Sequence, residues 1–321
     1  MVSKYFGVAA MAAFAWSAQA PAQNIDSIDS QVDFIRFTAP EGTRAPRRSA
    51  IPVDTGLEAV GVGAIVSNQG QEKPKEFTLS IGAPFTYTTN ALKTDTGRVD
   101  DVHINPTAGL SWEKPLNKVT LSASLQMSYD EYVDLAANDQ SVFLGNFSAL
   151  LGTLGKTPTP YVSYAPSVAY LDFYDHHVVT LHDFTAGARS FFKLREDAKG
   201  NPLTSLVVDV AYSRREASLA ASEQHRATVT LKFSGVVSPE LSWILKPQFQ
   251  GRFYSAGTND GRNDYNFKLL AGIEWKLIKS GQPSPYKVAF NIVFERNDSN
   301  FAGKDYTAWD IGPSVGYSYK F

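Results

Sequence analysis

The sequence predicts an all-β chain, an antiparallel transmembrane β-barrel of about twelve strands behind a mostly irregular N-terminal extension. Three observations lead there. From Glu76 onward the residues fall into twelve runs in which apolar and polar side chains alternate, and a period of two puts one set on each face of a strand. Each run is 10 to 14 residues long, whereas a globular strand has about 5–6 and a tilted bilayer-crossing strand needs about 9–11. The chain also begins with an export signal.

That signal spans Met1 to Ala22. It has Lys4, an apolar run from Phe6 to Trp16, and the small-residue stretch Ser17-Ala18-Gln19-Ala20-Pro21-Ala22. The apolar run is about half the roughly 20 residues of a spanning helix. Cleavage is expected after Ala22, because a cut after Ala20 would place Pro21, which lacks an N–H, next to the scissile bond. No cysteine is present to carry a lipid, and none to build a disulfide framework. No other segment has about 18 consecutive apolar residues, so no membrane helix is expected. A net charge of −2 carries no nucleic-acid footprint. Aromatic residues make up 12% of the chain, and the mean hydropathy is mildly polar, as alternation would produce.

Residues 23–75 lie outside the alternating pattern and form either a periplasmic extension or a segment folded into the lumen. Asn24 to Arg48 is polar and charged; Leu57 to Val66 is apolar but broken by Gly61 and Gly63. In the second reading Arg44, Arg47, Arg48 and Asp54 would pair with lumen groups. The barrel itself occupies 76–321.

Its predicted runs are 76–88, 102–113, 119–129, 142–153, 161–171, 178–190, 204–213, 225–234, 241–254, 264–277, 286–295 and 308–321. In the third, Val119, Leu121, Ala123, Leu125, Met127 and Tyr129 interleave with Thr, Ser and Gln. In the tenth, Tyr265, Phe267, Leu269, Ala271, Ile273, Trp275 and Leu277 interleave with Asn266, Lys268, Gly272, Glu274 and Lys276. Runs five and six are less regular, since Asp172, Asp183 and Arg189 do not sort by face. A sandwich would turn the apolar set inward; a barrel in lipid turns it outward and lines the bore with the polar set. Aromatics near run ends, among them Tyr87, Trp112, Tyr132, Tyr161, Tyr265, Trp275, Tyr286 and Trp309, fit interfacial girdles. Pro84, Pro106, Pro166, Pro247 and Pro313 fall inside runs and are expected at bulges or rims, because each removes a ladder donor.

The last run, Trp309 to Phe321, reads W-D-I-G-P-S-V-G-Y-S-Y-K-F. Its aromatic-x-aromatic spacing and terminal Phe resemble the C-terminal signal of bacterial outer-membrane β-barrels. The resemblance covers 76–321 at the level of architecture. It implies a Gram-negative outer-membrane protein exported through the Sec pathway and inserted by the barrel-assembly machinery through its C-terminal strand. Outer-membrane lipid and lipopolysaccharide would be its partners. It also puts the last strand's end in the periplasm. Connections 114–118, 154–160, 191–203, 235–240 and 278–285 are then periplasmic, and 89–101, 130–141, 172–177, 214–224, 255–263 and 296–307 face out. Short turns on one side and longer loops on the other are the expected asymmetry; 191–203 is too long for it and 172–177 too short.

On the polar register of the better-phased runs lie Asp209, Lys232, Lys246, Arg252, Lys268, Glu274, Lys276, Lys287, Glu295 and Asp310. These are the lumen-lining candidates, and their Lys and Arg excess suggests a positive stripe opposite a less charged wall. The expected function is a passive channel for small hydrophilic or mildly amphipathic solutes, with a preference for anions. One alternative is a barrel hydrolase resembling the omptin proteases, on the Asp175/His177 and Asp101/His103 pairs. The other is a non-transporting structural or surface-interaction barrel. No catalytic residue, metal site, cofactor or nucleic-acid partner is assigned; the five histidines lack zinc-site spacing.

Overall fold

The computed structural model describes residues 77–321, apart from residues 96, 199, 280 and 281. The expected signal peptide (1–22) and extension (23–75) lie outside the described residues. The strands are β1 (Phe77–Thr88), β2 (Asp101–Ile104), β3 (Thr107–Leu116), β4 (Val119–Tyr132), β5 (Gln140–Leu151), β6 (Thr159–Leu171), β7 (His176–Glu196), β8 (Pro202–Ala217), β9 (Gln224–Val236), β10 (Leu241–Tyr254), β11 (Asn263–Lys279), β12 (Gln282–Ser299) and β13 (Tyr306–Lys320). Each pairs antiparallel with its neighbour, and β13 returns to pair with β1. The sheet is therefore closed and has no free edge. At the seam Phe77 and Phe321 exchange both backbone hydrogen bonds (3.2 and 3.0 Å), and their rings stack at 5.8 Å.

β2 and β3 lie end to end between β1 and β4. They are two halves of one stave, so the barrel has twelve, one for each alternating run of the sequence. The interruption falls at Asn105-Pro106, where the proline has no N–H to offer. The other prolines act similarly, but without bulges at their positions. Pairing of β6 with β5 skips the step opposite Pro166. Pairing of β10 with β9 skips Lys246 and Pro247, and pairing of β13 with β1 skips Gly312 and Pro313. Each proline keeps its place in the strand and leaves a gap in the ladder on one side only. The expectation of bulges or rims is corrected accordingly.

Polarity is inverted relative to a soluble domain. Leu79, Leu125, Phe147, Val162, Val210, Phe249, Ile273 and Phe290 point outward and are exposed, while Ser205, Thr230, Lys246, Lys268, Glu274 and Glu295 point inward and are buried. An apolar face this continuous suits a hydrocarbon solvent. Rings gather toward both ends of the outer face, as in Trp275, Tyr286 and Tyr319 at one end and Tyr87, Tyr265 and Trp309 at the other. Two expected girdle members do not belong there. Tyr132 stacks on His103 at 4.9 Å inside the barrel, and the Tyr161 hydroxyl donates to Asp209 at 2.9 Å.

One end of the barrel carries the connections 117–118, 152–158, 197–201, 237–240 and 280–281, together with both ends of the described chain; we call it the turn end. The loop end carries 89–100, 133–139, 172–175, 218–223, 255–262 and 300–305. Several strands run further than the alternation showed, among them β12 and β7, which continues to Glu196. The overlong 191–203 connection thereby shrinks to a tight turn, while 172–175 remains short. Asn117 closes the two-residue β3–β4 hairpin at φ 51°, a value asparagine tolerates in such turns.

Candidate inner-face charge site

All ten sequence-predicted residues project from the inner face, and all are buried: Asp209, Lys232, Lys246, Arg252, Lys268, Glu274, Lys276, Lys287, Glu295 and Asp310. They come together as tiers on β8–β13 because each strand keeps one phase and register aligns the tiers. Opposite them, the inner faces of β3–β6 carry mostly small polar groups, for example Ser122 and Ser148, whose hydroxyls meet at 2.6 Å. Toward the loop end of β5–β7 this less charged wall turns apolar, with Val142, Leu144, Ala169, Val179 and Leu181 packed together.

In the tier nearest the loop end, Arg215 grips Asp183 with two bonds, Nε to Oδ1 at 2.9 Å and an Nη to Oδ2 at 3.0 Å. Arg226 donates to the same carboxylate. Fork geometry and burial make such bonds strong, and a carboxylate between two guanidinium groups offsets the cost of desolvating them. Arg262 similarly holds Asp264 at 2.9 and 2.6 Å and lies over the Tyr254 ring at 4.6 Å.

Glu295 anchors the middle tier. It meets Lys268 at 3.2 Å, Lys93 at 3.0 Å, Asn266 at 3.0 Å and the Tyr306 hydroxyl at 2.8 Å. Lys93 belongs to loop 89–100, which tucks into the barrel mouth; Asn90 and Ala91 there are buried, and Asn90 bonds to the carbonyls of Thr94 and Thr307. Burial works against the Lys93 ammonium, but the Glu295 and Asp310 carboxylates overcome it and hold its pKa above the usual lysine value. On the neighbouring wall Arg189 Nε bonds Asp209 at 2.6 Å.

The tier toward the turn end is rich in lysine. Lys276 and Lys287 face each other across β11–β12. The β9–β10 register, with Leu245 opposite Phe233, sets Lys246 against Lys232. Glu274 lies among them, 3.5 Å from Lys287. Like charges directly opposite are unfavourable in a sheet, which makes the Glu274 carboxylate beside Lys287 important to this tier.

Sequence reading missed Lys93, Asp183, Arg189, Arg215, Arg226, Arg262 and Asp264. Arg226 and Asp264 were findable, because they extend the polar register of their runs. Asp183 and Arg189 share the inner face of β7 but were obscured by its irregular upper part, where a register shift falls between Ala169 and Tyr170 of the β6 partner. Arg215 sits on a stretch of β8 assigned to a loop. Nothing local marks Lys93.

The two pairs behind the hydrolase alternative are not assembled as expected. Asp101 accepts backbone N–H bonds from Val102, Asp134 and Leu135, which pins loop 133–139, and His103 pairs with Asp130 instead. Asp175 lies by His176 at 3.3 Å, whereas His177 bonds Thr180 at 3.0 Å. Asp172, Asp175 and His176 do converge in the short loop 172–175 and at the start of β7, all exposed. Exposed acidic groups of this kind are common without an ion.

No family model matches the chain, and no curated protein sequence does. Among solved structures it is similar to an outer membrane channel from Pseudomonas putida F1, at 10% identity and a TM-score of 0.47 over 78% of this chain and 99% of that one. The translocator domain of the autotransporter NalP from Neisseria meningitidis matches at 12% identity, with a TM-score of 0.39 over 77% and 90%. LpxR from Salmonella typhimurium matches at 9%, with a TM-score of 0.41 over 75% and 99%. The closed, twelve-stave antiparallel barrel with an apolar outer face is the architecture of bacterial outer-membrane β-barrels.

Proposed function

We propose that the chain is an outer-membrane channel through which small hydrophilic or mildly amphipathic solutes diffuse passively, with a preference for anions. The observation that carries this reading is the one-sided placement of Lys232, Lys246, Lys268, Lys276 and Lys287 on the inner face, opposite a wall of small polar side chains. Charges of one sign along a bore set its ion preference. Export through the Sec pathway and insertion by the barrel-assembly machinery through β13 belong to the same reading. So does a turn end that faces the periplasm and a loop end that faces lipopolysaccharide.

The test is a planar bilayer recording of the purified mature protein under a KCl gradient, made in parallel with a chain lacking residues 23–70. A reversal potential set by chloride supports the proposal. A cation-selective reversal potential rejects the anion preference, and silence from both chains rejects the channel.

A further inference from the structure

Three neighbouring strands change character at one level of the outer face. On β7 the exposed Phe184 gives way to His182 and Thr180. On β8 Val210 and Tyr212 give way to Arg214 and Glu216, and on β9 Val229 and Ala227 give way to His225. Register sets Arg214 beside both Phe184 and His225, and Glu216 beside His182. A charge on the lipid face is costly at mid-membrane and cheap near the interface, so these groups mark where the apolar band ends toward the loop end. A cavity of about 390 Å³ opens among them, lined by Thr180, His182, Arg214, Glu216, Ser218 and Glu223. Sites for small molecules run from roughly 300 to 1,000 Å³, so a single headgroup fits.

Hydrogen bonds fix the Arg214 guanidinium and leave part of it unused. Nη1 donates to Ser255 Oγ at 2.8 Å and to His225 Nε2 at 2.9 Å, and Nη2 donates to Glu223 at 3.1 Å. Its Nε–H has no partner among the described residues. An arginine N–H can only donate, so His225 accepts at Nε2, carries its proton on Nδ1 and donates it to the Tyr212 hydroxyl. The Tyr212 proton is then left for a further acceptor. Tyr164 occupies His182 Nδ1 at 2.8 Å, which leaves Nε2 for the cavity. The exposed Glu216 carboxylate has no partner among the described residues.

We propose that this cavity binds the phosphorylated glucosamine headgroup of lipopolysaccharide, its phosphate on Arg214 and Tyr212 and its sugar hydroxyls on Glu216 and Glu223. Phosphate on a guanidinium is a charge-assisted pairing, and the two carboxylates accept from the sugar O–H groups. Bare phosphate would face those carboxylates with no donor to offer them; a sugar phosphate brings both kinds of group. The cavity also opens on the lipid side of the wall. Toward mid-membrane the exposed Ala186 and Ala227 flank Tyr212 in register, and such small side chains leave troughs beside the ring where acyl chains can lie. The choice of occupant rests on the loop end facing outward, as proposed above, and not on conduction.

The test titrates the purified mature protein, in an amine-oxide detergent, with lipid A, the acylated diglucosamine bisphosphate, and reads binding by thermophoresis. Lipid A stripped of phosphate, phosphatidylethanolamine and inorganic phosphate are titrated in parallel. Lipid A should bind most tightly of the four. Arg214→Gln should weaken it about tenfold or more, the worth of one charged hydrogen bond. Glu216→Ala removes a side chain that holds nothing else in place, so it should weaken lipid A while the unfolding midpoint stays put. Arg296→Gln is the control, because Arg296 is an exposed arginine of β12 bonded to Asp298 at 3.0 Å, and it should change nothing. Equal binding of dephosphorylated lipid A or of phosphatidylethanolamine overturns the proposal. So does displacement of lipid A by inorganic phosphate, or an equal loss in Arg296→Gln, or no loss in both Arg214→Gln and Glu216→Ala. Orientation is read separately, by labelling Asp260→Cys in loop 255–262 of the otherwise cysteine-free chain with a membrane-impermeant maleimide on intact cells. Labelling without lipid A binding would overturn the site and spare the orientation. Lipid A binding without labelling would fail the orientation and take the proposed occupant with it.

Discussion

Leu125 offers the most direct test of which solvent the outer face meets. It is the seventh of fourteen residues in β4, lies between Leu110 and Gly145 on the flanking strands, and is 60% exposed. Seven residues at about 3.3 Å each, tilted by about 40°, place it about 18 Å along the axis from either end of its strand. The apolar band of such barrels is about 25 Å tall, so Leu125 falls close to the bilayer midplane. Leu125→Arg should therefore cost about 2–4 kcal/mol, a shift of roughly 30- to 900-fold in the folded-to-unfolded ratio. Denaturant unfolding of protein refolded into phosphatidylcholine vesicles would measure it, with Ser124→Arg on the inner face of the same strand as the companion. A water-facing Leu125 would tolerate the change within about 0.5 kcal/mol. That outcome, or a larger penalty at Ser124 than at Leu125, would refute the assignment of faces.

Further substitutions probe the inner face and the loops. Asp183→Asn leaves the buried Arg215 and Arg226 guanidinium groups without their shared charge partner. It should cost about 3–5 kcal/mol, read as a lower unfolding midpoint, and Arg215→Met in the same chain should recover part of the loss. Gly257 has a φ of 64°, and a Cβ there would lie 2.6 Å from the Ala221 backbone nitrogen. Gly257→Ala should cost about 1–2 kcal/mol and separate loops 218–223 and 255–262, seen as faster proteolysis there with the barrel transition unmoved. Lys276→Glu combined with Lys287→Glu should swing the reversal potential toward cations; an unmoved potential would remove these lysines from selectivity.

Which side of the wall each residue faces was legible because a strand announces its faces locally. Lys232, Lys246, Lys268 and Glu274 could be placed from their immediate neighbours, and none of the ten candidates points outward. What each charge touches was not legible, since partners arrive through register. Asp183 meets Arg215 and Arg226 across 32 and 43 residues, and Lys93 meets Glu295 across 202. No window of sequence contains both members. Loop residues that fold inward, as Lys93 does, carry no periodic mark at all. Strand ends were misjudged for a related reason. Above the apolar band neither face needs grease, so alternation fades while pairing continues, and β7, β8 and β12 run on beyond it.

This division has a consequence for how one register is selected. Slipping β11 against β12 by two residues would still set apolar groups against apolar groups on the outside, because Phe267, Leu269, Ala271 and Ile273 are nearly interchangeable toward lipid. On the inside the same slip would take Lys268 from Glu295 to Asn297 or Val293 and cost the buried Glu295 carboxylate one of its two lysine partners. Outer-face hydrophobicity therefore commits the chain to a membrane, and the inner ion pairs choose among the registers that hydrophobicity leaves equal. At the seam Ser80 meets Ser318 and Gly82 meets Gly316. There sterics take over: a Cβ on Gly312 would fall 1.7 Å from the Phe85 carbonyl oxygen. Only a glycine fits at that crossing, and a slip of one or two residues would bring Ile311, Pro313 or Ser314 against it instead.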